Sequence, residues 1–473
     1  MKQILPLTGR KTEKFNLEHR TVLPGLADSH IHLVGYAMML QNLDLSTTRS
    51  IEDIQRKLAG ASSKRSGKSW ILGRGWDQEK LRERRYPNKR DLDIVSNPVF
   101  IHRICGHIGA ANSAALALSN INRNTQDPVG GVVVRESSTG EPNGVLKERA
   151  LDLIRSPASQ NGKELENLLL IATRRLLKMG LTSLHCILED RRELRLVEKL
   201  RRERKIGQLI YPILTVSSNS PSEYLQRAKT AIKIYLDGSL GARTASLSKP
   251  YSDDRSTSGI MRMNWRDFRE IAELAKRQKN QLCVHAIGDN AVRLAVEAFR
   301  KIFGRISCKT FRHRIEHASL TDAQLRMEMS ELGLIASVQP RFIISDIWAK
   351  KRLGLDRARE LYAFRSMVRQ KIVMASGSDC PVENPNPFEG IWSMVTRPDR
   401  NSAEALTVRE AVSTYTIGGS YASFSETSTG TLEPGKNADM IVLEQDPFRC
   451  QVQDLRTMKI SHTIINGEIM SQM

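Results

Sequence analysis

Short apolar runs alternate with longer charged stretches of helical period along most of the chain. Those that read as strands are Thr21–Ala27, Thr182–Leu188, Leu209–Val216, Ala231–Leu236, Leu282–Ala286, Arg314–Glu316, Leu334–Val338 and Lys371–Ala375. Between most of them lie periodic segments such as Arg266–Lys279 and Asp289–Ile302, which read as amphipathic helices. Strands alternating with helices predict parallel βα units, and eight of them predict an α/β fold of the (β/α)8 TIM-like barrel type.

Two regions break this rhythm. About 150 residues separate the first strand from the second, and a connection of that length must carry structure of its own. A lid or insert is therefore expected at about 70–150. The tail changes grammar: Gly430–Glu444 and His462–Ile469 are short strands punctuated by Gly, Pro and Asn, and Asn466-Gly467 between apolar residues is a hairpin signal. The expected organisation is a barrel over 21–424 with a small β-rich domain made from 1–20 and 425–473.

Composition narrows the class. The 473 residues are 40% apolar and 26% charged, enough to bury large cores. No apolar run reaches the length of a membrane span, and the N-terminus lacks a signal-peptide core. The six cysteines form no CxxC pair and read as thiols of a reducing compartment, so a cytoplasmic protein is expected. The net charge of +20 raises nucleic-acid binding as an option. Its basic residues are interleaved with acids, however, as in Arg191–Lys205, where Leu194, Val197 and Leu200 recur at helical spacing. A solvated helix face is the favoured reading, and aromatics at 5% are too sparse for a base-stacking platform.

The candidate chemistry collects at strand ends. Asp28-Ser-His30-Ile-His32 follows the first apolar run, and residues i and i+2 of an extended chain share a side, so both imidazoles can reach one ion. His285 ends a later strand, His317 ends the next, and Asp379 follows the last. In a barrel these ends converge at the mouth, and such nitrogen and oxygen donors suit zinc or a related first-row metal.

This arrangement resembles the amidohydrolase superfamily, in particular its YtcJ-like branch (amidohydrolase family 3), which includes N-substituted formamide deformylases. Matching stretches are Leu23–His32, Gly75-Trp76-Asp77, Gly106–Ser113, Gly144–Glu148, Asp237–Ala245, His285–Asp289, Arg314–His317 and Gly377-Ser-Asp379, spread over about 21–470. The resemblance implies that His30, His32, His285, His317 and Asp379 bind one or two divalent ions, zinc being the expected metal. It further implies that Lys233, carboxylated, bridges two of them; pairing with Asp237 or Glu148 is the ordinary alternative. It places His107 at the site, against the alternative of a packed loop histidine. Only 29 residues precede His30, fewer than the resemblance leads one to expect, so either a reduced small domain or a shortened start of the chain is expected.

Trp76 and Arg243 are weaker candidates for the pocket wall; Arg243 could equally pair with an acid. Asp289 could orient a ligand or cap a helix, and His185 is read as structural or pocket-lining. Glu316, next to His317, is expected to point to the other side of its strand as a structural residue. The expected reaction is hydrolysis of a non-peptide C–N bond in a small molecule, such as an N-acyl or N-formyl amine, by metal-activated water with Asp379 as base and then acid and His107 assisting. A lactonase or phosphotriesterase on the same site, and a non-enzymatic basic binding protein on a barrel scaffold, are the competing classes. Self-association is compatible with the resemblance.

Overall fold

The computed structural model describes residues 8–10, 12, 14–63, 65–67, 69–104, 106, 108–128, 130–154, 162–216 and 231–472. The first apolar run, expected as one strand, divides at Gly25. Thr21–Pro24 (β1) joins a small antiparallel sheet, whereas Leu26–Ile31 (β2) enters the barrel. Close packing sets the break: a Cβ on Gly25 would lie 2.1 Å from the Thr182 hydroxyl.

The long connection then builds a sheet of its own from β3 (Leu43–Asp44), β4 (Ile71–Trp76), β5 (Val99–Arg103), β6 (Ile108–Ala111), β7 (Gly131–Arg135) and β8 (Pro142–Glu148), in the order β3-β4-β5-β6-β8-β7. Helix Ile51–Ser62 begins at Ser50, whose side chain accepts the Asp53 N–H, and buries Ile51, Ile54 and Leu58. These residues pack with Ile71, Trp76, Leu92 and Ile101 into a core separate from that of the barrel.

Seven more strands complete the barrel: β9 (Leu181–Leu188), β10 (Leu209–Thr215), β11 (Ala231–Tyr235), β12 (Leu282–Ala286), β13 (Arg314–His317), β14 (Ile335–Val338) and β15 (Met374–Ser376). They run parallel in the order β15-β14-β13-β12-β11-β10-β9-β2. A parallel bridge between Ile31 and Cys380 ties the two ends together, so the sheet closes. The outer helices show the expected amphipathic burial. Arg191–Arg202 buries Leu194, Val197 and Leu200, and Trp265–Gln278 buries Phe268, Ile271, Ala272 and Ala275.

Beyond the barrel, β16 (Met440–Leu443), β17 (Ile460–Ile465) and β18 (Glu468–Gln472) join β1 in the order β1-β16-β17-β18. The β17–β18 turn is Asn466-Gly467, with φ of 51° and 83°, the double left-handed turn that Asn-Gly favours. Among the described residues, no helix is long and apolar enough to cross a membrane.

Candidate metal centre

Register decides which side chains enter the barrel. In a parallel ladder paired residues share a face, and Lys233 pairs with Cys283, Tyr235 with His285, Cys283 with Arg314, and His285 with Glu316. This set points inward, because Glu316 reaches His30 across the barrel and Arg314 reaches the Ser29 carbonyl.

The first and last strands are locked together where the site forms. Asp379 N–H donates to the His30 carbonyl at 2.7 Å, and His32 N–H donates to the Cys380 carbonyl at 2.9 Å. Beneath them the buried Asp28 carboxylate accepts the His30 N–H (3.1 Å), the Ser378 N–H (2.9 Å) and the Ser378 hydroxyl (2.6 Å). Burial pushes its pKa up to about 6. Gly377 fits because a Cβ there would stand 2.4 Å from the His30 nitrogen. Only His30 of the HxH pair lies within β2. His32 is the residue before helix Leu33–Met39, and its side chain makes no capping bond.

These constraints bring six of the expected residues together. Asp379 Oδ1 lies 3.3 Å from both His30 Nε2 and His32 Nε2, and the donor atoms of these three residues fall within 4.8 Å of one another. The His317 ring is centred 5.0 Å from that of His30 and 4.5 Å from that of His285. Lys233 is fully buried, with Nζ 2.7 Å from His30 Nε2 and 4.9 Å from the centre of the Tyr235 ring. Its alternative partner Asp237 instead accepts the N–H groups of Ser246, Ile287 and Gly288. The backbone is left-handed at His317 (φ 73°) and Asp379 (φ 57°), a costly conformation for residues other than glycine that concentrates at functional sites.

The electrostatics suit a cation. Burial pushes the His285 pKa down to about 3 and holds His317 well below its usual range, so both rings are neutral near pH 7. Asp379 is held well below the usual carboxylate range: burial opposes ionisation, but hydrogen bonds with His30 and His32 outweigh it. Burial also lowers the Lys233 pKa. Among the described residues, His285 Nδ1 and His317 Nδ1 are buried without a hydrogen-bond partner, an arrangement that is expensive unless a ligand engages them. Neutral imidazoles beside an ionised carboxylate are the state a divalent ion requires, and the donor set fits one.

Other expected residues lie elsewhere or do other work. Trp76, expected at the pocket wall, is instead fully buried in the insert core, where its Nε1–H donates to the Ile101 carbonyl at 3.1 Å. An indole with its one donor satisfied and its rings packed has nothing left to offer a substrate. Arg243 grips Asp253 through Nε (3.1 Å) and Nη2 (2.8 Å), the acid pairing that was its alternative. Asp289 accepts the Ser248 N–H at 3.0 Å. His107 lies outside the described residues. Glu316, expected to turn away, points inward, with Oε2 2.5 Å from His30 Nδ1. Sequence reasoning also passed over Glu189, just beyond β9, whose Oε1 lies 3.3 Å from His32 Nδ1. Inward parity along β13, shared by Arg314 and Glu316, was the signal for the first; only its position one residue past a barrel strand pointed to the second.

A closed parallel barrel with imidazoles and a carboxylate gathered at its mouth defines the class of metal-dependent barrel hydrolases, and the comparisons agree. The sequence profile described as the amidohydrolase family matches residues 13–470, so the chain belongs to that family. The putative amidohydrolase YtcJ of Bacillus subtilis is 34% identical, over 97% of this chain and 90% of its own. The N-substituted formamide deformylase of Arthrobacter pascens is 26% identical, over 96% and 89%. An uncharacterized metal-dependent hydrolase from Pyrococcus horikoshii superposes with a TM-score of 0.79 at 30% identity, covering 96% of this chain and 91% of that one. Its counterpart from Pyrococcus furiosus gives 0.78 at 30%, covering 95% and 92%. The protein is thus a metal-dependent hydrolase of the amidohydrolase family.

Proposed function

We propose that this hydrolase cleaves a non-peptide C–N bond in an amide-like small molecule, such as an N-acyl or N-formyl amine. The observation that carries the reading is the convergence of His30, His32 and Asp379 within 4.8 Å, beside His285 and His317, whose Nδ1 atoms meet no hydrogen-bond partner among the described residues. The likeness to a formamide deformylase supports the choice of bond. We assign His30, His32, His285, His317 and Asp379 as ligands of one or two divalent ions, zinc by their chemistry, with Lys233 joining as a carbamate where two ions bind. When bound, such an ion supplies Lewis acidity at the carbonyl and lowers the pKa of water towards ~7.

The chain's own groups do the rest. Asp379 is ionised and stands between two imidazoles, so it can take the proton from the attacking water. As the tetrahedral centre collapses, the same carboxylate returns that proton to the departing amine nitrogen, and one group serves as base and then acid. His285 and His317, neutral and buried, hold the opposite side of the site without competing for that proton. His107 assists at the carbonyl oxygen in this reading. The test is a panel of N-formyl and N-acetyl amines beside the matching esters, assayed with purified zinc- and cobalt-loaded enzyme. Faster turnover of the amides, lost in Asp379→Asn, is the expected result; turnover of esters alone would overturn the choice of bond.

A further inference from the structure

The two histidines of the HxH pair are each held at both ring nitrogens, and the far side of each ring meets a glutamate. His30 Nε2 and His32 Nε2 both lie 3.3 Å from Asp379 Oδ1. On the opposite edges His30 Nδ1 is 2.5 Å from Glu316 Oε2, and His32 Nδ1 is 3.3 Å from Glu189 Oε1. A neutral imidazole has one N–H and one lone pair, and an ionised carboxylate only accepts. Carboxylates thus flank both nitrogens of each ring, and an ion that takes the Nε2 lone pair leaves the N–H on Nδ1, facing the glutamate. Lys233 agrees independently: an ammonium only donates, and its Nζ lies 2.7 Å from His30 Nε2.

We infer that Glu316 and Glu189 are positioning residues of this centre. They fix the tautomer and the ring angle of His30 and His32, so that both present Nε2 to one divalent ion. The inference rests on the ligand assignment above and extends it to two residues that touch no ion themselves. Such outer carboxylates orient metal-bound imidazoles and raise their basicity.

The two glutamates are not equivalent. Glu316 is fully buried and comes from a rigid strand whose Arg314 also holds the Ser29 carbonyl, so β13 grips the HxH segment at two points. Glu189 follows the end of β9 and its side chain is 52% exposed, where water competes with the histidine. Glu316 should therefore matter more.

The experiment measures zinc affinity by competition with a chromophoric chelator, and the visible spectrum of the cobalt-loaded protein, for wild type, Glu316→Gln, Glu189→Gln and the double variant. Far-UV circular dichroism and metal-free melting temperatures monitor the fold. The expected result is roughly 10–100-fold weaker zinc binding in Glu316→Gln with an altered cobalt spectrum, a smaller loss in Glu189→Gln, and the largest in the double variant. Zinc affinity within about twofold of wild type in both single variants, with unchanged cobalt spectra, would overturn the inference. Should Glu316→Gln fail to fold, the half-exposed Glu189→Gln decides the matter by the same readouts. Hydrolysis of an N-formyl amine is followed in parallel. Tight zinc binding without amide turnover in wild type would overturn the substrate reading alone, leaving the affinity comparison valid, whereas no binding of zinc or cobalt would overturn both.

Discussion

The strand β13 connects two ends of the barrel that use the same kinds of side chain for opposite purposes. At the floor, His313 Nδ1 accepts the Leu282 N–H at 2.9 Å, and its ring stacks on Phe299 with centres 5.0 Å apart. Beside it, buried Arg314 gives its guanidinium to the carbonyls of Ser29 (3.3 Å) and Ala422 (2.6 Å) and to His185 Nδ1 (3.1 Å). At the mouth, Glu316 and His317 meet side chains instead of backbone: Glu316 meets His30, and the His317 ring packs on those of His30 and His285. The floor places polar groups where they stitch strands and a helix end together. Among the described residues, buried ring nitrogens without partners occur at both ends, His185 Nε2 and His313 Nε2 at the floor and His285 Nδ1 and His317 Nδ1 at the mouth, whereas the mouth gathers its rings beside the Asp379 carboxylate and holds His317 at a left-handed φ of 73°. A buried histidine is therefore informative through what its nitrogens meet, and not through burial alone.

The sharpest way to break this contrast acts on the mouth. Asp379→Asn keeps a ligand oxygen and removes the proton acceptor, so kcat should fall roughly 10^3–10^4-fold, with much of the metal retained, if general acid–base work sits there. Steady-state kinetics and metal analysis on one preparation separate the two effects. At the floor, Arg314→Met should lower stability by about 3–5 kcal/mol, since it strips donors from buried carbonyls, with a far smaller loss of turnover per folded molecule than in Asp379→Asn. Urea denaturation gives that number.

A third prediction concerns pH. Burial pushes the His313 pKa down to about 3, against about 6.5 in an unfolded chain. Between those values the unfolded state binds a proton that the folded state refuses, so stability contributed by the neutral ring is present above pH 6.5 and lost as pH falls towards 3. From pH 6.5 to 5 the loss should be about 2 kcal/mol. His313→Asn should flatten the dependence, and an equal slope in wild type and variant would show that the floor histidine is not the source. The smallest effect belongs to the insert: Trp76→Phe removes the donor to the Ile101 carbonyl and should cost about 1–2 kcal/mol. Substrate KM should stay put, because the indole packs in the insert core.

Much of this organisation was legible in the chain. The barrel strands follow the apolar runs, and His285, His317 and Asp379 fall at or just past strand ends because the alternation of apolar runs and amphipathic helices fixes where each strand stops. Besides Glu189, three features escaped for physical reasons. The break at Gly25 is set by contact with Thr182, which no local pattern encodes. Simple alternation sends Glu316 away from His317, yet the left-handed backbone at His317 lets both adjacent side chains serve one site. The Gly-Trp-Asp stretch carries a motif whose tryptophan holds the insert together, and a motif alone does not distinguish packing from binding. Arg103 shows the same economy by donating to Asp77 of that stretch at 2.8 Å.

The central claim is that the mouth of the barrel is a metal centre built on His30 and His32. Elemental mass spectrometry of purified wild-type protein beside the His30→Ala/His32→Ala variant tests it most directly. The account predicts about one or two equivalents of zinc or a related divalent metal per chain in wild type, falling sharply in a variant that still folds. No metal in either protein after reconstitution, or equal metal in both, would contradict it.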